Sequence, residues 1–446
     1  MLIIQEPNDR VGKKITPIKD KRKKYRWLHY LYFKEVDNYI LIYNLLTTCL
    51  IRLDKEEYNN YLNIDELKDL IFVVPKDYPE YDIYQYFFSY FKTKEDYSLK
   101  GGLRSYTIMS TSKCDAHCKY CYENGMKRQH MDDHTLNNLI RLIKDNYNIN
   151  HEKVEIGMFG GEPMFYQKVW DKLFTSLKEA DIPYNSIFIS NGYLMNEKLV
   201  DKMVNLYHTT SGQIPIDGTE KNYNKIKNFI YKDDPSPFRT VINNAKNLLG
   251  KGIRLIFRIN FDPKDFSDQE QVGLQLLEEF KDYPQNMWNV YFHELFGEYD
   301  YETQNNIIKF LDKHKNHIGY IIKNDYLPTL MATEKCMTDS MYSIMINSNG
   351  DLYKCESLPK EGLIGNLNDY YDKGIEIESD KVKEHAYGYL VLEECKTCQF
   401  KPECLLFKYC SIPSIDKCPL TEKRQIEMYI DKAIVNNYKR YLEKHK

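Results

Sequence analysis

The sequence predicts an α/β fold, flanked by a small α+β module at the amino end and a cysteine-rich segment at the carboxyl end. Three observations carry this. Strand-like and helix-like stretches alternate from residue 105 to about 317, only short strand-like pieces with two helical candidates precede them, and seven of the eleven cysteines fall after residue 335. The corresponding division is 1–99, 100–320 and 330–446.

At the amino end the charged run of residues 19–24 predicts a solvated leader from residue 1 to about 24. No apolar core with a small-residue cleavage site is present there, so a secretory signal is not expected. Strand-like stretches follow at 38–43 and 49–53, Asp54 is placed to cap a helix through Tyr61, and 81–90 forms an aromatic-rich helical candidate.

The central strands are expected at 105–110, 154–159, 186–190, 213–216, 254–260 and 288–293. Six βα units imply parallel strands that curl into a complete or partial (β/α)6 barrel, with reactive groups at the carboxyl ends of the strands. Beyond Lys335 hairpin-like pieces appear at 343–346 and 352–354 around the turn Asn349-Gly350-Asp351. Ile426, Ile430, Ala433 and Ile434 then mark the packing face of a closing helix.

Bulk properties narrow the function. A formal charge of -3, from 62 basic and 65 acidic residues, gives the chain no overall electrostatic pull toward nucleic acid or an anionic membrane. No apolar run approaches ~18 residues, so no membrane span is expected. Eleven clustered cysteines in a chain without a secretory signal predict a reducing, cytoplasmic setting and metal ligation in place of disulfides.

Cys114-Asp-Ala-His-Cys118-Lys-Tyr-Cys121 follows the first central strand. Three thiolates at this spacing suit a four-iron cube and leave one iron open to a small molecule, with structural zinc as the bland alternative. The spacing, with Tyr120 before the third cysteine, resembles the signature of the radical S-adenosylmethionine (SAM) superfamily. The likeness extends to other strand ends: Phe159-Gly160-Gly161-Glu162-Pro163, Ser190-Asn191-Gly192, Ile216-Asp217-Gly218 and Arg258-Ile259-Asn260. The resemblance implies a 4Fe-4S cluster on Cys114, Cys118 and Cys121. It also implies SAM contacts from Tyr120, Gly160, Gly161, Glu162, Pro163, Ser190, Asn191, Asp217, Arg258 and Asn260. Where relatives often carry a histidine and an arginine after the aspartate strand, this chain has Tyr223 and Lys227, and lysine lacks the bidentate fork.

The later cysteines resemble the SPASM extension, which carries two auxiliary 4Fe-4S clusters in peptide- and protein-modifying relatives. The resemblance assigns Cys336, Cys355 and Cys410 to the first and Cys395, Cys398, Cys404 and Cys418 to the second, making three clusters in all. Cys404 and Cys410 stand two residues further apart than in the usual pattern, and two zinc sites are the alternative. Glu356 occupies the place of a proposed general base in sulfatase-maturing relatives, although most glutamates are solvated surface groups.

The implied function is a peptide maturase that cleaves SAM reductively and abstracts hydrogen from a precursor peptide. A flavodoxin- or ferredoxin-like protein would be its reductant. Tyr43-Asn44-Leu45-Leu46-Thr47 faintly resembles peptide-recognition elements, which makes the first module a candidate docking site. The alternatives are a sulfatase-type maturase forming formylglycine and a non-enzymatic iron-sulfur electron carrier or sensor.

Overall fold

The structure is a computed structural model. It describes the chain except residues 9–11, 21, 93–98, 122, 262–266, most of 295–339, 357–361, 383–392, 404–419 and 446.

In the first module β1 (Leu2–Gln5), β3 (Leu31–Val36), β4 (Tyr39–Asn44) and β5 (Leu50–Asp54) form an antiparallel sheet in the order β1, β5, β4, β3. A separate ribbon joins β2 (Tyr25–Trp27) to β6 (Val73–Pro75). Three helices accompany them: α1 (Lys55–Asn59), α2 (Asp65–Asp69) and α3 (Glu80–Lys92). Asp54 opens α1 through a reciprocal cap: its carboxylate accepts the Glu57 amide at 2.8 Å, and Glu57 accepts the Asp54 amide at 2.9 Å. The expected leader is partly overturned. Leu2 and Ile3 stand opposite Arg52 and Ile51 in the sheet, because the apolar triplet Leu2-Ile3-Ile4 gains half-buried places that the charged run further on does not oppose.

The six predicted central strands are present: β7 (Ser105–Thr111), β8 (Val154–Gly160), β9 (Tyr184–Ile189), β10 (Thr209–Pro215), β11 (Arg254–Phe261) and β12 (Trp288–Glu294). They are parallel and adjacent in chain order. The intervening helices are α4 (Asp133–Asn150), α5 (Gln167–Glu179), α6 (Glu197–Asn205), α7 (Glu220–Lys227), α8 (Pro237–Gly250) and α9 (Ser267–Glu279). On α4, Asp132 caps the Thr135 amide at 2.7 Å, and Leu136, Leu139, Ile140 and Ile143 form the apolar stripe turned to the sheet.

The sheet does not close on itself among the described residues. β13 (Ser343–Ile346) joins β7 in parallel, with Ser343 opposite Ser105, and β14 (Asp351–Tyr353) and β15 (Leu363–Asn366) extend it antiparallel. The predicted hairpin around Gly350 therefore continues the central sheet, with its turn toward the carboxyl end of β7 and β14 running back from it.

Gly212 shows how tightly the parallel strands are set. The ring of Phe188, its partner on β9, lies against the Gly212 backbone, and a Cβ there would come within 2.0 Å of it. Gly212→Ala is expected to cost about 1–3 kcal/mol by overpacking. Urea unfolding of wild type, Gly212→Ala and Gly212→Ala/Phe188→Leu checks this: the double variant should recover part of the loss, and an unchanged midpoint in the single would contradict it.

Two cores result. The larger holds the central sheet, its helices and the β13 to β15 extension. The second joins the first module to the other end of the chain, where Ile430, Ala433 and Ile434 of the closing helix (Leu420–Lys444) are fully buried with Leu41, Ile42 and Leu53. Phe400 belongs to the same core. Tyr32 and Lys34 reach Asp431 at 3.1 and 2.8 Å, and Arg52 reaches the Tyr438 hydroxyl at 3.0 Å. The predicted packing face of the closing helix is thus borne out. No described helix is long and apolar enough to cross a membrane.

Candidate cofactor site

The cysteine loop leaves β7 at Thr111, and its own backbone shapes it. Ser112 donates to Gln129 O at 3.0 Å, Met131 to Ser110 O at 2.9 Å, and the Ser112 hydroxyl to Lys127 O at 2.7 Å, so the loop's two ends lie side by side. Between them Ala116 N–H points at the Cys114 sulfur (3.4 Å), and Cys121 N–H closes a turn on Cys118 O (3.2 Å). All three thiols are half-buried, and burial pushes those of Cys114 and Cys121 up. Among the described residues no three His, Cys, Asp or Glu side chains converge as ligands of a single ion would.

Two flanks clamp this loop. From β8, Gly161 and Glu162 donate to Thr111 O (2.9 Å) and Lys113 O (3.0 Å). Gly160 has φ +125°, and a Cβ on it would lie 2.3 Å from Thr111 O; one on Gly161 would lie 2.4 Å from Lys113 O. Both positions require the absence of a side chain. On the other flank His117 donates to Lys227 O at 2.8 Å and Ile230 to Asp115 O at 2.9 Å.

Glu162 is fully buried. Its carboxylate accepts the Met164 amide (2.9 Å), the Ser190 hydroxyl (2.9 and 3.0 Å) and the Asn191 amide (2.9 Å), tying the ends of β8 and β9 together. The Asn191 side chain in turn donates to Asp115 at 2.6 Å. Burial first, then the neighbouring Asp115 charge, holds the Glu162 carboxyl well above the usual carboxylate range; burial raises Asp115 too. Pro163 begins a short helical turn, Pro163–Tyr166, and its carbonyl accepts the Trp170 indole N–H at 2.7 Å.

At the ends of β10 and β11 a second carboxylate is enclosed. Asp217 is 1% exposed and accepts the Asn260 amide (3.2 Å) and side-chain nitrogen (2.8 Å) on one oxygen. Its other oxygen takes the Tyr120 hydroxyl and the Lys227 ammonium, the latter at 2.5 Å. Lys227 is 2% exposed and also donates to the Tyr120 hydroxyl at 3.2 Å. Burial alone would lower the Lys227 ammonium; the charges around it, Asp217 foremost, override this and hold it well above the ordinary lysine range. Tyr223 is fully buried against Phe238. Arg258 donates to Asn260 at 2.8 Å.

The site thus unites Cys114, Cys118, Cys121, Tyr120, Gly160, Gly161, Glu162, Pro163, Ser190, Asn191, Asp217, Arg258 and Asn260 at one end of the sheet. Sequence reasoning gave no role to Asp115 and left Lys227 as a departure from pattern. A carboxylate inside the cysteine run was the available signal for the first. Nothing local announced the second.

Of the later cysteines, Cys355 is half-buried just after β14, Cys395 is buried and Cys398 half-buried with its amide on Cys395 O at 3.4 Å. Cys336, Cys404, Cys410 and Cys418 lie outside the described residues. Glu356, next to Cys355, is raised by burial, with the charge of Arg258 opposing the rise. An open cavity of about 280 Å³ lies between Met126, Lys127 and Gln129 of the loop and the turn Asn347-Ser348-Asn349.

A cysteine loop held at the carboxyl end of a parallel sheet by a glycine pair defines a cofactor-binding α/β protein. Residues 108–272 match the family model described as the Radical SAM superfamily. The match implies an enzyme that uses SAM and a 4Fe-4S cluster. An uncharacterised protein of Methanocaldococcus jannaschii is 26% identical over 276 residues, which are 60% of this chain and 90% of that protein. A probable GTP 3',8-cyclase of Methanococcus maripaludis is 27% identical over 101 residues, 23% of this chain and 32% of the cyclase. Among solved structures, native anSMEcpe with bound AdoMet and Cp18Cys peptide matches with a TM-score of 0.55 at 16% identity. That match covers 74% of this chain and 98% of the other and shows a shared fold.

Proposed function

We propose that this chain is a radical SAM peptide maturase, with Cys114, Cys118 and Cys121 as the ligands of its SAM-binding 4Fe-4S cluster. The donor set fits: three half-buried thiols share one loop, and Gly160 and Gly161 meet that loop with bare backbone. This juxtaposition is the observation that carries the reading. Bound together, a reduced cluster and SAM supply a 5'-deoxyadenosyl radical able to abstract hydrogen. The protein's own contribution is to place and enclose. Gly160 and Gly161 keep side chains away from the loop, Glu162 fixes the ends of β8 and β9, and Ser190, Asn191, Arg258 and Asn260 bring further polar groups to the same end of the sheet.

The later cysteines are proposed to hold two auxiliary 4Fe-4S clusters, on Cys336, Cys355 and Cys410 and on Cys395, Cys398, Cys404 and Cys418. A peptide or protein substrate is supported by the peptide bound to anSMEcpe, whose fold this chain shares. The first module is the proposed docking element, a flavodoxin- or ferredoxin-like protein the reductant, and the cytoplasm the setting. Formylglycine formation is the second reading. Its candidate acceptor for a substrate proton is Glu356, directly after the half-buried Cys355.

Anaerobically reconstituted protein given SAM and dithionite is expected to release methionine and 5'-deoxyadenosine, measured by chromatography. No 5'-deoxyadenosine from iron-loaded protein would leave an electron carrier or sensor instead. Incubation with a cysteine-containing sulfatase peptide, followed by mass spectrometry, separates the two maturase readings.

A further inference from the structure

Asp217 stands among the residues that the family resemblance assigns to SAM, yet its carboxylate is already fully engaged. An ionised carboxylate offers about four acceptor positions, and four donors occupy them: the Asn260 amide and side chain on one oxygen, Tyr120 and Lys227 on the other. None is left for a ligand hydroxyl. Lys227 is the unusual member of this group, because a buried ammonium is costly unless it is paired.

The same residue touches the cysteine loop twice through different atoms. Its ammonium reaches Tyr120, directly before Cys121. Its carbonyl, at the end of α7, accepts the His117 amide at 2.8 Å and lies 4.0 Å from the Cys118 sulfur. α7 stops there because Asn228 turns left-handed (φ +45°), which leaves that carbonyl free for the loop. One lysine therefore joins the ends of β10 and β11 to both the middle and the last arm of the cysteine loop.

We infer that Lys227 is a positioning residue for the cluster loop and that Asp217 is its internal counter-charge, not a contact to SAM. The inference rests on the radical SAM reading. Electrostatics give it a sign. A positive charge held beside thiolate ligands favours the more negative, reduced cluster, and the Asp217 charge offsets it.

The test uses the full chain as wild type, Lys227→Met, Lys227→Arg, Asp217→Asn and the Lys227→Met/Asp217→Asn double variant. Redox titration followed by electron paramagnetic resonance, without SAM, is expected to show a lower cluster potential in Lys227→Met. Asp217→Asn should be higher, and the double variant should return toward wild type. Thermal melting before iron loading should show the double variant losing less than the two single losses added together, with Lys227→Arg closest to wild type. Unchanged SAM-free potentials combined with a loss confined to SAM affinity would make Lys227 or Asp217 a ligand contact and overturn the inference. Additive melting losses would overturn it as well. A wild-type protein that forms no cluster at all would instead refute the radical SAM reading.

Discussion

Alanine at Cys114, Cys118 and Cys121 together is expected to bring reductive SAM cleavage down to the uncatalysed background. The same change should remove about four of about twelve iron atoms per chain. The loss should be chemical and not a collapse of the fold, because the ties that shape this loop are made by other groups. Ser112 to Gln129, Met131 to Ser110, Gly161 to Thr111 and His117 to Lys227 are backbone pairs that need no thiol. Far-ultraviolet circular dichroism should therefore match wild type while 5'-deoxyadenosine disappears. Iron remaining near eight per chain would accord with two further clusters on the later cysteines. Cleavage retained within about tenfold of wild type would place the SAM cluster elsewhere, since a lost chemical step costs far more than that.

Gly161→Ala and Gly160→Ala form the second large expectation. At Gly161 the added methyl would meet Lys113 O at 2.4 Å, Lys113 C at 2.7 Å and Ser112 C at 2.9 Å. Each of these atoms is backbone of the cysteine loop, so no side-chain rotation relieves the clash. At Gly160 the methyl meets Thr111 O at 2.3 Å, and the φ of +125° adds strain for any L side chain. The loop must move in both variants. A displacement near 1 Å in such a site can lower rate about 10²-fold, and the accompanying loss of stability should be about 1–3 kcal/mol. Gly250→Ala is the control: a Cβ there meets nothing within 4 Å. Single-turnover cleavage, with SAM binding by calorimetry, measures the effect. A Gly161→Ala protein with wild-type values would show that the loop does not need the position it holds.

Much of this site was legible because its signals are local. A strand followed by a cysteine run declares itself through periodicity and spacing, and the resemblance to a known family marked the strand ends at Gly160-Gly161 and Ser190-Asn191. Pairings across distance were not legible. Lys227 reads as the ordinary charged end of a polar helix, and only the fold brings Asp217 and Tyr120 within its reach. Residues 1–5 were misjudged for a related reason: three apolar residues are too few to outweigh a basic run in composition, yet one strand partner suffices to order them. The closing helix was readable as amphipathic, but its apolar stripe does not say which surface will cover it.

That last pairing bears on how the polypeptide matures. During synthesis the opening sheet emerges several hundred residues before Ile430, Ala433 and Ile434, the side chains that complete its interior. Until the helix Leu420–Lys444 is made, this early segment has one apolar face uncovered, a state prone to self-association. Docking must await the emergence of that helix, so deleting it should be felt in the first sheet, several hundred residues away.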